Sequence, residues 1–101
     1  MLEKQGLVKL VEECGELIQI AGKKMARMDS DDHWDRSGSL RTRLEDEVAD
    51  VKAIIQIIQQ TMGLDVERIE LRQLKKWVLF NEWLTKDEAE VVPLEPEGEE
   101  E

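Results

Sequence analysis

Apolar residues recur near the start of the chain in steps of four and three: Leu7, Val11, Cys14, Ile18, Ala21, Met25 and Met28. That spacing draws one stripe on an α-helix and predicts that the helix packs against others along it. Gly6, Gly15 and Gly22 fall in the same segment. Each costs a helix roughly 1 kcal/mol relative to alanine, so packing must offset them or they serve the close approach of a neighbouring helix. Residues 29–39 break the pattern with a polar run, Asp29-Ser30-Asp31-Asp32-His33-Trp34-Asp35-Arg36-Ser37-Gly38-Ser39, in which Ser37 or Ser39 can cap a following helix. The stepping resumes at Leu40, Leu44, Glu47, Val51, Ile54 and Ile58. Isoleucines suit strands, but the length of this run favours helix. Gly63 stands where a helix C-cap is expected, and Asp65 is a good N-cap for a third helix from about Val66 to Leu84, with Ile69, Leu74, Trp77, Val78 and Leu84 inward. The pattern is all-α, with three main helices in the chain.

Length and charge set the limits. The chain has 101 residues and a formal net charge of −10, enough for one small domain. Residues 87–101 hold eight acids and no base, so the body, residues 1–86, is close to neutral and 87–101 reads as an acidic C-terminal tail, solvated and broken by Pro93 and Pro96. No long basic run is present, which argues against nucleic acid as a partner. The single cysteine, Cys14, excludes an internal disulfide and a thiolate zinc site. The longest apolar stretch, Ala53 to Ile58 interrupted by Gln56, is far too short to span a bilayer. With no apolar signal region after the charged N-terminus, a cytoplasmic protein without a membrane partner is expected. Three helices bury modest apolar area, so pairing with further copies, as a dimer or tetramer, is also expected.

The chemistry lies in acids at apolar positions. With Glu47 placed at 0° on a helical wheel, Ile54 and Ile58 fall within about 20° of it, Val51 near 40° and Asp50 near −60°. Glu47 therefore occupies the stripe itself, and Asp50 lies one turn further on the same face. A carboxylate facing a core is costly unless it is neutralised or coordinated. The first helix carries a similar pair, Glu13 and Glu16, at the edge of the Leu10/Leu17 side. Two such pairs on packed helices would gather four hard oxygen ligands, a set suited to magnesium or manganese. Acidic spacings arise by chance in a chain with 24 acids, and Glu12, Glu13 and Glu16 alone would read as a solvated face. Glu47 is harder to dismiss, although it could instead fix helix register or pair with a base.

The segment Glu12-Glu13-Cys14-Gly15-Glu16, followed after a loop by Glu47-Val48-Ala49-Asp50, resembles the EExxE … ExxD signature of the MazG-like all-α nucleoside triphosphate pyrophosphohydrolases. The resemblance covers roughly residues 1–80. It implies a four-helix type of bundle completed by oligomerisation, with Mg2+ (or Mn2+) on Glu13, Glu16, Glu47 and Asp50. It further implies hydrolysis of an NTP or dNTP substrate to the monophosphate and pyrophosphate, with Glu12 orienting or deprotonating the water. Candidate phosphate contacts are Lys24, at the end of the first helix, and Arg68 and Lys75, on a basic stripe of the third with Arg72; Trp34 could stack on a base.

Four other readings compete. A di-iron carboxylate bundle needs a Glu-x-x-His motif on two helices, and the only histidine, His33, lies in the loop. Asp29-x-Asp31-x-His33 suggests a calcium hand but lacks glycine at its sixth position and has Leu40 at its twelfth, which excludes it. A phosphoribosyl-ATP pyrophosphatase would share the metal site, and a non-catalytic interaction module would use the acidic tail on a basic partner while leaving Glu47 unexplained.

Overall fold

In the computed structural model the described residues are 2–30 and 38–87. They form three helices, α1 (Leu2–Ala26), α2 (Leu40–Thr61) and α3 (Val66–Asp87), and no strand is present among them. The chain divides into two units, Met1–Leu64 and Asp65–Glu101. Trp34, His33, Ser37 and the tail beyond Asp87 lie outside the described residues.

Local chemistry sets the helix ends. Ser39 is the N-cap of α2, its hydroxyl accepting from the Thr42 amide at 3.3 Å. At the other end Gly63 takes φ +62, and the Leu64 amide donates to the Gln59 carbonyl at 3.0 Å. This is the left-handed close that glycine makes without a Cβ penalty. Asp65 starts α3 by accepting from the Arg68 amide at 3.1 Å. Lys24 donates to the carbonyls of Ser30 (2.8 Å) and Arg27 (3.4 Å), satisfying acceptors at the C-terminal end of α1.

Within the first unit α1 and α2 pack with opposed directions: Gly6 lies against Ile58, while Glu13 lies close to Glu47 and Asp50. On α2 the buried face is Leu40, Glu47, Val51, Ile54 and Ile58, with Leu44 half-buried, as the stepping predicts. On α1 the inward face is a different one. Gly6 and Ile20 are buried, and Leu10, Glu13, Leu17, Lys24 and Arg27 are half-buried. Most of the expected stripe is turned away from this seam, with only Cys14 and Ala21 of it half-buried. Val11, Ile18, Met25 and Met28 are between 70% and 73% exposed, and Leu7 is also exposed. The inward face lies about one residue, 100°, round the helix from the most apolar side, and it carries the close approach at Gly6, where an added Cβ would stand 3.0 Å from Ile58 Cγ2.

In the second unit α3 is the only helix among the described residues. Ile69 and Trp77 are half-buried, but Leu74, Val78 and Leu84, expected inward, are exposed, and no second element among the described residues of that unit covers them. Lys76 stacks over Phe80 at 5.7 Å, so part of the apolar surface is shielded by a cation on the same helix.

The three glycines of α1 are thus not equivalent, since a Cβ at Gly15 or Gly22 meets nothing within 4 Å. Gly15→Ala and Gly22→Ala should each stabilise the chain by up to about 1 kcal/mol through helix propensity. Gly6→Leu should lower the midpoint by prising α1 from Ile58. Thermal melts followed by far-UV circular dichroism check this ordering; a loss of stability in Gly15→Ala would show that its face is closely covered.

Candidate metal centre

Four carboxylates meet across the α1–α2 seam. Glu13 and Glu16 project from α1, and Glu47 and Asp50 from α2. One oxygen from each lies within 4.8 Å of the others. The helices deliver them by the same device, an acid one turn before a second acid on the same face, and the opposed directions of the helices bring the two pairs face to face. The seam is apolar on either side, with Leu40 and Val51 buried along the Glu47 row.

The members are unequal in burial. Glu47 is 5% exposed, Glu13 is half-buried, and Glu16 and Asp50 open to solvent. The cluster therefore has a dry floor and a wet rim. Each of the deeper acids has one oxygen engaged and one not. Arg43 Nη2 donates to Glu47 Oε2 at 3.1 Å, and Lys9 Nζ stands 3.9 Å from Glu13 Oε2. Glu47 Oε1 and Glu13 Oε1 are buried without a hydrogen-bond partner. The only other such atom among the described residues, Arg27 Nε, lies beyond the C-terminal end of α1. Buried carboxylate oxygens are normally satisfied, and these two are left unsatisfied at the same place.

Protonation follows from that setting. Burial, then the charge of Glu16, pushes the Glu47 carboxyl above its ordinary value of 4.5, while Arg43 pulls in the other direction. Glu13 is raised likewise, by burial first and then by Glu16 and Asp50, with Lys9 opposing. Two bases do not neutralise four acids, and what remains is a compact negative pocket of hard oxygens. A divalent cation would fit that donor set: it would supply charge where burial has removed water, and two buried carboxylate oxygens are without a partner there.

The other residues singled out from the sequence are placed differently. Glu12 is exposed and ion-paired with Lys9 at 2.8 Å, outside the group of four. Lys24 serves the end of α1, whereas Arg68 and Lys75 are exposed on α3, in the second unit. Trp34 lies outside the described residues. Lys9 and Arg43 were not singled out, although their signal was available: each stands four residues before the first acid of its pair. No helix among the described residues is long and apolar enough to cross a membrane. Comparisons with family models, with curated proteins and with solved structures find no match for this chain.

The raised acids have a consequence for stability without metal. A carboxyl with a higher folded than unfolded pKa stabilises the fold when protonated, and that contribution is lost as pH rises through the folded value. In EDTA, the contribution of Glu47 and Glu13 should therefore grow as pH falls from neutral toward about 5. Glu47→Gln should flatten this dependence. Melts of the two proteins across that window check it; parallel curves would mean that the cluster is not strained.

Proposed function

We propose that this chain is a magnesium-dependent nucleoside triphosphate pyrophosphohydrolase of the MazG-like kind, converting an NTP or dNTP and water to the monophosphate and pyrophosphate. The observation that carries the reading is the meeting of Glu13, Glu16, Glu47 and Asp50, with the inner oxygens of Glu13 and Glu47 buried and unpartnered. The resemblance of Glu12-Glu13-Cys14-Gly15-Glu16 and Glu47-Val48-Ala49-Asp50 to the EExxE … ExxD signature supplies the reaction class.

The span of the oxygens supports one ion. Opposite ligands stand about 4.0–4.2 Å apart around magnesium and about 4.6–5.2 Å apart around calcium. Two ions would themselves be about 3.5–4 Å apart and need a wider set. Four acids whose oxygens lie within 4.8 Å of one another would have to close only slightly to share one magnesium. When bound, magnesium neutralises charge on the phosphate oxygens and acidifies water.

In the reaction, a water oxygen bonds to the α-phosphorus, the bridging α–β P–O bond breaks, and pyrophosphate leaves with the bridging oxygen. Glu12, exposed beside the cluster, orients the water and accepts its proton. Arg68, Lys75 and Trp34 enter the proposal from the sequence alone, as candidate contacts to phosphate and base. Lys24 is the weaker phosphate candidate, because it would have to release the Ser30 carbonyl that it holds at 2.8 Å. The exposed α1 stripe of Leu7, Val11, Ile18, Met25 and Met28 supports assembly of copies into a four-helix bundle.

The test is product analysis in 18O-labelled water with magnesium, across common and oxidised nucleotides and phosphoribosyl-ATP. The label should appear on the monophosphate, with no diphosphate accumulating. Glu47→Leu, which continues the apolar stripe, should stay folded and lose turnover. Label on pyrophosphate would place attack at the β-phosphorus, and orthophosphate with diphosphate would mean a γ-phosphatase. Turnover of phosphoribosyl-ATP alone would assign that substrate. No turnover of any compound by the intact chain would leave an interaction module.

A further inference from the structure

A carboxylate has two oxygens, and whatever holds one decides what the other can do. Glu47 Oε2 accepts from Arg43 at 3.1 Å, and its Oε1 is buried with no partner. Glu13 repeats the pattern more loosely: Lys9 is 3.9 Å from Oε2, shares its charge with Glu12 at 2.8 Å, and leaves Oε1 unpartnered. The spacing is the same on both helices. A base precedes the deeper acid by four residues, and the second acid follows by three: Lys9, Glu13, Glu16 on α1 and Arg43, Glu47, Asp50 on α2.

This matters for which ion the cluster takes. Calcium collects six to eight oxygens, often by engaging a carboxylate through both of its own, whereas magnesium takes six in a nearly fixed octahedron. A set whose oxygens lie within 4.8 Å of one another reaches the calcium span and exceeds the magnesium one, so the spread by itself does not select magnesium. What discriminates is how many oxygens each acid can turn inward.

We propose that Arg43 is a positioning residue that sets ion selectivity: by holding Oε2 of Glu47 it leaves that acid a single free oxygen for an ion, which favours magnesium over calcium, and Lys9, 3.9 Å from Oε2 of Glu13, is a looser counterpart. Arg43 suits the task because its guanidinium stays charged throughout the working range and its fork has defined directions. Its half-exposed side chain reaches the buried carboxylate from outside the seam, so it orients the acid without entering the coordination sphere. Outer partners of metal ligands act in this way generally, and their loss typically changes metal affinity by about 10–100-fold.

The inference rests on the metal reading of the cluster, and one titration separates the two. Isothermal titration of the full-length chain with magnesium chloride and with calcium chloride gives both affinities, with circular dichroism confirming the fold. Arg43→Gln frees Glu47 Oε2 and should move the calcium-to-magnesium affinity ratio toward calcium by about tenfold. Arg43→Lys, whose ammonium can hold the same oxygen, should stay near the wild-type ratio. Lys9→Gln should move the ratio in the same direction by less, and it carries the test if Arg43→Gln does not fold. An unchanged ratio in the folded variants, even with both affinities altered, overturns the selectivity role. A wild-type chain that binds neither ion overturns the metal reading itself.

Discussion

Glu47 stands in a row of side chains that the α1–α2 seam otherwise fills with Leu40, Val51, Ile54 and Ile58. A charge in that position is tolerable only if it is protonated, paired or coordinated. Arg43 pairs one oxygen and the other is buried without a partner, in a carboxylate that stands beside three more acids, Glu13, Glu16 and Asp50. The arrangement of the first unit is organised around that deficit. Gly6 lets α1 approach α2 closely at Ile58, and the same rotation of α1 turns Glu13 inward in place of the more apolar stripe beside it. The face of α1 at the seam instead combines Gly6 and Glu13 with Leu10, Leu17 and Ile20, and leaves Val11, Ile18 and Met25 exposed.

The legible parts of the chain were those governed by one strong local rule. The α2 face follows from a single unbroken stepping in which Glu47 is the one polar member, so both the helix and the oddity could be read directly. Ser39, Gly63 and Asp65 were legible because caps have few acceptable residues and fixed positions. The inward face of α1 was not legible. Two faces about 100° apart compete, and the one used mixes Gly6, Leu10, Glu13, Leu17 and Ile20 with Lys24 and Arg27. Hydrophobic periodicity selects the other. The four acids survived this error because Glu13 and Glu16 were placed on the Leu10/Leu17 side, and that side is the one that turns inward.

The two outer bases illustrate a different limit. Lys9 and Arg43 look like ordinary surface residues in the sequence, where a base four positions before an acid is a common helix pair. Their meaning depends on which oxygen they hold, and that is a property of side-chain geometry across the seam. The exposed apolar faces of α1 and α3 raise the same point at a larger scale. Periodicity shows that such faces want burial, but a single chain does not specify what buries them.

The central claim, that these four carboxylates form one cation site, is tested most directly by anomalous diffraction from crystals grown with millimolar manganese. The account predicts one strong peak bounded by Glu13, Glu16, Glu47 and Asp50, with Oε1 of Glu13 and Glu47 turned toward it. A well-ordered cluster with no peak at that manganese concentration, or manganese bound only elsewhere on the surface, would contradict it.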